Sequence, residues 1–298
     1  MTGALRPVGA HASVAGGLAR AGLPYIRNAE ARAVQVYVSN PRGWALSAGD
    51  PAQDEAFRSG CAELKVPSFI HASLLVNLGS PTALTVQRSV ATLAHALERG
   101  ARTGAAGVVY HAGSAVDEAH ADAALVRMRE VLLPLLDSAA AAGGPRLLVE
   151  PTAGGGRSLA SRIEDLEPYL AALDHHPWLG FCLDTCHAWA AGHDLARPGG
   201  MTEALDLLDA TVGRERLHLV HANDSKDTCG SLRDRHETIG KGTLGEAAFA
   251  ELMTHPVTAG IPVIVETPTE RWHGHASDIA TLRRLAARPG AGRRGGRR

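Results

Sequence analysis

The chain has 298 residues, of which 45% are hydrophobic and 20% charged, and its formal net charge is −1. That composition supplies a large buried core, excludes extended disorder, and contains no run of 18 apolar residues that would cross a membrane as a helix. The charge lacks the basic excess expected of an ordinary nucleic-acid binder, but the last eleven residues, 288–298, hold five arginines and no acid, leaving −6 on the rest.

The N-terminus lacks a signal-peptide layout, and the four cysteines (Cys61, Cys182, Cys186, Cys229) do not suggest a disulfide framework. The expectation is a cytoplasmic enzyme. Residues 288–298 read as a disordered Gly/Arg-rich tail able to add weak phosphate contacts.

Short apolar runs recur along the chain at residues 8–10, 34–38, 68–71, 107–111, 147–150, 179–184, 217–221 and 262–266. Amphipathic stretches separate them. Val86, Val90, Leu93 and Leu97 fall on one helical face. Residues 117–142, 161–174, 202–212, 244–254 and 275–287 read likewise, with Asp117 and Ser161 as N-caps. Eight strands alternating with helices predict a single (β/α)8 barrel over residues 1–287. A doubly wound sheet would need a Gly-rich phosphate turn after strand one, and Gly16-Gly17 does not make it.

The strand ends carry the chemistry. Strands three to eight finish on His71, His111, Glu150, Asp184, His221 and Glu266. Those residue types number only 15 His and 31 Asp or Glu, so six consecutive occurrences are not a random draw. A lone strand-end histidine is ordinarily a hydrogen-bonded core residue. Six in series, on the barrel face where active sites form, argue for metal. Strand alternation puts Leu217, Leu219 and His221 on one face and turns His218 toward the helices.

Three further candidates lie just beyond strand ends: His187, and the Asp-x-His pair Asp234 and His236. Nine imidazole and carboxylate ligands suit zinc, manganese or iron, at two or three ions. Cys182-x3-Cys186 has no second pair and reads as core. Three divalent ions would offset the −6 of the body. Closely spaced ions clamp both oxygens of an in-line displacement and activate water, so the pattern points to phosphoester hydrolysis. The rival is a metal-dependent sugar isomerase or epimerase on the same barrel. It has no use for a third cluster, so His187, Asp234 and His236 discriminate the two.

These motifs together resemble the endonuclease IV family, the zinc-dependent abasic-site endonucleases. They are His11-Ala12-Ser13-Val14-Ala15-Gly16-Gly17, Asn77-Leu78-Gly79, His111-Ala112-Gly113-Ser114 and Glu150-Pro151-Thr152-Ala153-Gly154. Asp184-Thr185-Cys186-His187-Ala188, His221-Ala222-Asn223-Asp224-Ser225-Lys226, Asp234-Arg235-His236 and Ile239-Gly240-Lys241-Gly242 complete the set. The resemblance covers residues 8–267. It implies a xylose-isomerase-like TIM barrel with three zinc ions, manganese being an alternative at one position.

It places one ion on His71, His111 and Glu150, and a second on Glu150, Asp184, His221 and Glu266. The third falls on His187, Asp234 and His236. It implies cleavage of double-stranded DNA 5′ to abasic sites, leaving a 3′-hydroxyl and a 5′-deoxyribose phosphate, and removal of 3′-blocking groups, by a monomer. Glu150, Asp184 and Glu266 would be catalytic. Arg42, Leu74, Asn77, Lys226 and Arg235 would contact DNA. The family's gap-filling Tyr position falls on Leu74 here, an apolar wedge without an aromatic face. A catalytically idle DNA-binding relative is the remaining alternative.

Overall fold

A computed structural model describes residues 6–269 and 274–287. The chain runs β1 (Val8–His11), α1 (Leu18–Asn28), β2 (Val34–Val36), α2 (Pro51–Leu64), β3 (Ser68–His71), α3 (Ala83–Thr103), β4 (Gly107–His111) and α4 (Ala121–Ala141). It continues β5 (Arg146–Glu150), α5 (Leu166–Ala171), β6 (Leu179–Asp184), α6 (Thr185–Ala190), α7 (Gly200–Val212) and β7 (Leu217–His221). Last come β8 (Asp224–Ser225), β9 (His236–Glu237), α8 (Gly245–Thr254), β10 (Val263–Val265) and α9 (Ala276–Ala286). β1 to β7 and β10 pair in parallel and close into an eight-stranded barrel, with β10 between β7 and β1. β8 and β9 form a separate antiparallel ribbon.

Local chemistry sets the helix limits. Asp50 caps α2 by accepting from Ala52 N at 2.9 Å, and Pro51 takes the first turn, where its missing N–H is not needed. The helix ends at Lys65 in the left-handed region. α1, α2 and α6 fall outside the periodicity read from the sequence. α1 contains Pro24, and α2 buries Asp54 against Arg99 of α3.

The stretch 161–174 is a 3₁₀ turn, Ile163–Asp165, followed by α5. Ser161 is not its cap. The Asp165 carboxylate accepts instead from the backbone N–H groups of Ser161 (2.9 Å) and Arg162 (2.8 Å). Asp117 precedes a 3₁₀ turn, and its carboxylate meets the His120 ring rather than a helix amide. The tail at 288–298 lies outside the described residues.

Two layers inside the barrel position the site. Ala33, Phe69, Val109, Leu148, Cys182, Leu219 and Ile264 form a buried cluster of their own. Gly9 belongs to the same level. A Cβ there would lie 1.6 Å from the Ala33 carbonyl oxygen, so only glycine fits. Two residues further along a strand the side chain returns to the same face. The next inward positions are therefore His11, Gln35, His71, His111, Glu150, Asp184, His221 and Glu266. A polar ring thus sits directly on an apolar plug, one residue per strand.

Pairing between β6 and β7 slips at His218: Phe181 faces Leu217, and Cys182 faces Leu219. Leu217 consequently joins the large cluster between sheet and helices, not the inner one as simple alternation predicts. Leu219 and His221 remain inside.

Candidate metal centre

The structure brings all nine expected ligands together at the C-terminal mouth of the barrel. Glu150 lies at the centre, 1% exposed. Its Oε2 is 3.3 Å from His71 Nε2 and 3.8 Å from His111 Nε2. Its Oε1 is 3.1 Å from His221 Nδ1 and 3.2 Å from His187 Nδ1. His221 Nδ1 is also 3.5 Å from Glu266 Oε2 and 3.9 Å from Asp184 Oδ2. On the outer side, Asp234 spans His187 Nε2 (3.3 Å) and His236 Nε2 (2.9 Å).

Apart from that of His187 Nδ1, whose nitrogen also meets Pro151 O, those separations fit shared ions. Two ligand atoms on one tetrahedral zinc, each at about 2.0–2.2 Å, are about 3.3 Å apart. His71, His111 and Glu150 form one compact donor cluster, and His187, Asp234 and His236 another. His236 Nε2 is buried and makes no hydrogen bond, although Asp234 is near. A buried imidazole nitrogen set between the Asp234 and Asp184 carboxylates without a hydrogen bond fits a metal ligand. Cys182 and Cys186 are buried beside the ring, and burial pushes both thiols up to about 12.

The unused nitrogens are satisfied by the protein, which fixes the ring tautomers. Nδ1 of His71 donates to Ala72 O at 2.8 Å, that of His187 to Pro151 O at 3.0 Å and that of His236 to Glu266 O at 3.2 Å. Asn223 Nδ2 donates to Asp184 Oδ2 at 2.7 Å, and its Oδ1 accepts from the Glu266 N–H at 2.8 Å.

Electrostatics ties the groups together. Burial opposes the charge on Glu150, but His221, His187 and His71 outweigh it and hold the carboxyl well below its usual range. Burial also opposes charge on His236, yet Asp234 and Asp184 raise it to about 9. Burial, with His71 and His187 alongside, pushes His111 down to about 4. Protons shared between rings and carboxylates occupy the role that cations would take, so metal loading would displace them.

Sequence reasoning missed three inward residues. His11 Nδ1 is 3.1 Å from Glu266 Oε1. Gln35 touches His11, Glu266 and His221. The Tyr37 ring lies 4.3 Å from that of His11, and burial raises its phenol pKa above the usual range. His11 falls one residue past the apolar run that ends at Ala10; its place two residues after Gly9 is the signal that finds it. With Leu74, the His11 and Tyr37 side chains line a cavity of about 330 Å³ above the ring.

Asp224 was also missed as a determinant of geometry. Its buried carboxylate accepts from five backbone N–H groups: Ser225, Gly240, Gly242, Leu244 and Gly245. That nest folds the loop after β7 back on itself. With the β8–β9 ribbon, it brings Asp234 and His236 over the barrel mouth.

The residues expected to meet DNA are placed differently from one another. Arg42 is exposed, and Leu74 is 39% exposed at the cavity rim. Their loops are joined: Pro41 O accepts from Leu74 N and Ser73 Oγ, both at 2.9 Å. Lys226 is exposed, and Arg235 is exposed while gripping Asp227. Asn77 turns inward, where its Oδ1 accepts from Gly79 N (3.2 Å) and Ser114 N (2.9 Å), so it knits two loops.

A family model described as xylose isomerase-like TIM barrel matches residues 23–287. The protein named probable endonuclease 4 of Streptomyces coelicolor is 56% identical over 279 residues, 94% of this chain and 95% of its own. That of Nitratidesulfovibrio vulgaris is 38% identical, covering 94% and 99%. Among solved structures, endonuclease IV from Thermus thermophilus superposes with a TM-score of 0.82 at 36% identity, covering 94% of this chain and 98% of that one. The 3-keto-D-glucoside 4-epimerase YcjR of E. coli reaches 0.68 at 16% identity, covering 94% and 100%, a likeness of fold alone. On the identity and coverage of these relatives, the chain belongs to the endonuclease 4 family, nucleases and therefore hydrolases on a xylose-isomerase-like TIM barrel.

Proposed function

We propose that this chain hydrolyses the phosphodiester 5′ to abasic sites in double-stranded DNA, leaving a 3′-hydroxyl and a 5′-deoxyribose phosphate, and that it clears blocked 3′ ends. The observation that carries the reading is the third donor cluster, His187, Asp234 and His236, beside the two clusters that share Glu150. A sugar isomerase or epimerase has no use for that cluster.

Three zinc ions fit the donors, with manganese an alternative at one position. His71, His111 and Glu150 would hold the first. Glu150, Asp184, His221 and Glu266 would hold the second, and His187, Asp234 and His236 the third. Zinc bound in such a site supplies Lewis acidity and lowers the pKa of water toward about 7.

The protein supplies the rest. The cavity of about 330 Å³ is sized for a sugar-phosphate without its base. The apolar plug closes its floor, so water enters only from the mouth. A flipped abasic nucleotide reaches that depth, whereas a stacked one does not. Arg42 and Leu74 would fill the vacated gap, and Lys226 and Arg235 would hold phosphates on either side. The reading is of a monomer; among the described residues no helix is long and apolar enough to cross a membrane.

The test uses a duplex with one abasic site beside an undamaged duplex, with and without chelator, and a metal assay on the same sample. The expected result is chelator-sensitive incision 5′ to the lesion with about three zinc per chain. Turnover of a monosaccharide with one or two metals and no incision would favour the epimerase reading.

A further inference from the structure

Two of the eight inward ring positions, His11 and Gln35, belong to no donor set described above. Gln35 lies on β2, is 0% exposed, and contacts three ring neighbours at once. Its Oε1 accepts from His221 Nε2 at 2.9 Å. Its Nε2 donates to Glu266 Oε1 at 2.6 Å and lies 2.9 Å from His11 Nδ1.

The amide orientation follows from its partners. A carboxylate only accepts, so the nitrogen must face Glu266 and the oxygen must face His221. His221 therefore keeps its Nε2 proton on Gln35, which leaves Nδ1 as the nitrogen free to meet a cation once metal displaces the proton it shares with Glu150 Oε1 at 3.1 Å. Nδ1 is the atom turned toward Glu150, Glu266 and Asp184.

This arrangement differs from that of three of the other ligand histidines. His71, His187 and His236 each anchor Nδ1 on a backbone carbonyl. Main chain fixes those three tautomers whatever the neighbouring side chains are. His221 instead depends on one side chain, and that side chain also grips a carboxylate of the same donor set.

We propose that Gln35 is the positioning residue for the His221–Glu266 ligand pair: it holds His221 in the Nδ1-donor tautomer and aims the Glu266 carboxylate, so one of the three metal positions depends on it. The inference rests on the trinuclear reading above. A ligand's outer hydrogen-bond partner typically contributes 10–100-fold to metal affinity. Loss of Gln35 should therefore weaken one ion by about 10–100-fold and leave the other two in place.

The experiment compares zinc-loaded wild type with Gln35→Met, which keeps the length and removes both hydrogen-bonding groups. Zinc release is followed against a competing chelator, and circular dichroism checks the fold. Imidazole ¹⁵N resonances report the His221 tautomer without reference to turnover. The expected result is one zinc per chain released at about 10–100-fold lower chelator strength, with His221 losing its single tautomer. If Gln35→Met does not fold, Gln35→Ala cuts the same bonds without added bulk and carries the test. Three zinc ions leaving at the wild-type chelator strength, with the His221 tautomer unchanged, would overturn the inference. Wild type that never holds three ions would instead overturn the trinuclear reading beneath it.

Discussion

Asp224→Ala should release the loop that carries Asp234 and His236 while sparing the barrel. The Asp224 carboxylate is 0% exposed and accepts from five backbone N–H groups at 2.8–3.4 Å. Each buried donor left without a partner costs about 1–3 kcal/mol. Water will rescue some of them once the loop loosens, so the net loss should be about 3–5 kcal/mol, the range for removing one member of a buried charged network. Because every 1.4 kcal/mol is a factor of ten, opening of residues 226–245 should become at least about 10²-fold more frequent. Amide hydrogen exchange measures this directly: protection should fall across that loop and hold in β3 to β6. Metal analysis should show the outer ion lost first, since His236 and Asp234 no longer share a fixed position. Unchanged loop protection with a full metal complement would refute the claim that Asp224 builds the outer cluster.

Glu150→Gln removes the charge that four histidines face and should lower abasic-site incision by about 10²–10³-fold or more with the barrel intact; wild-type turnover would sink the shared-carboxylate account. Leu74→Tyr places an aromatic face at the cavity rim and should preserve or tighten binding to abasic duplex in a titration; a large loss would mean the rim loop does not meet DNA. Burial, with Arg146 and Arg216 nearby, pushes His218 down to about 4. The unfolded chain, near 6.5, takes up that proton first, so stability is full above about pH 6.5 and falls as pH drops toward 4. His218→Gln should flatten the fall in unfolding free energy, read by denaturant titration, by about 1–2 kcal/mol after allowing for partial exposure; identical pH slopes in the two proteins would contradict this.

The strand-end ligands were readable because the two-residue period that fills the barrel also delivers the residue above it. Phe69 predicts the direction of His71, and Leu148 that of Glu150. The same rule covers His11 and Gln35, but neither was read as part of the site. His11 lies just beyond the apolar run of its strand. Gln35 sits between Val34 and Val36 like any polar residue in an alternating strand, and a neutral amide does not advertise a metal. Asp234-x-His236 could be seen as a pair, yet its position depends on the Asp224 nest, whose donors are spread along the following loop. The slip at His218 left no mark in the pattern, so Leu217 was assigned to the wrong face. α2 escaped because a buried partner on α3, not an apolar stripe, completes it. Residue types alone left zinc, manganese and iron open, and only the family resemblance narrowed the choice.

The two bonds at Pro41 O give the rim a mechanical property. Arg42 and Leu74 sit on loops from different strands, yet fastening at Ser73 and Leu74 makes the pair one stiff edge. On the function proposed above, two loops fastened in this way would move together, and a duplex meeting them would have to yield to their shape. Distortion would then fall on the nucleic acid, and easily kinked steps flanking a lesion would be engaged faster than stiff A-tracts, with no base contact required.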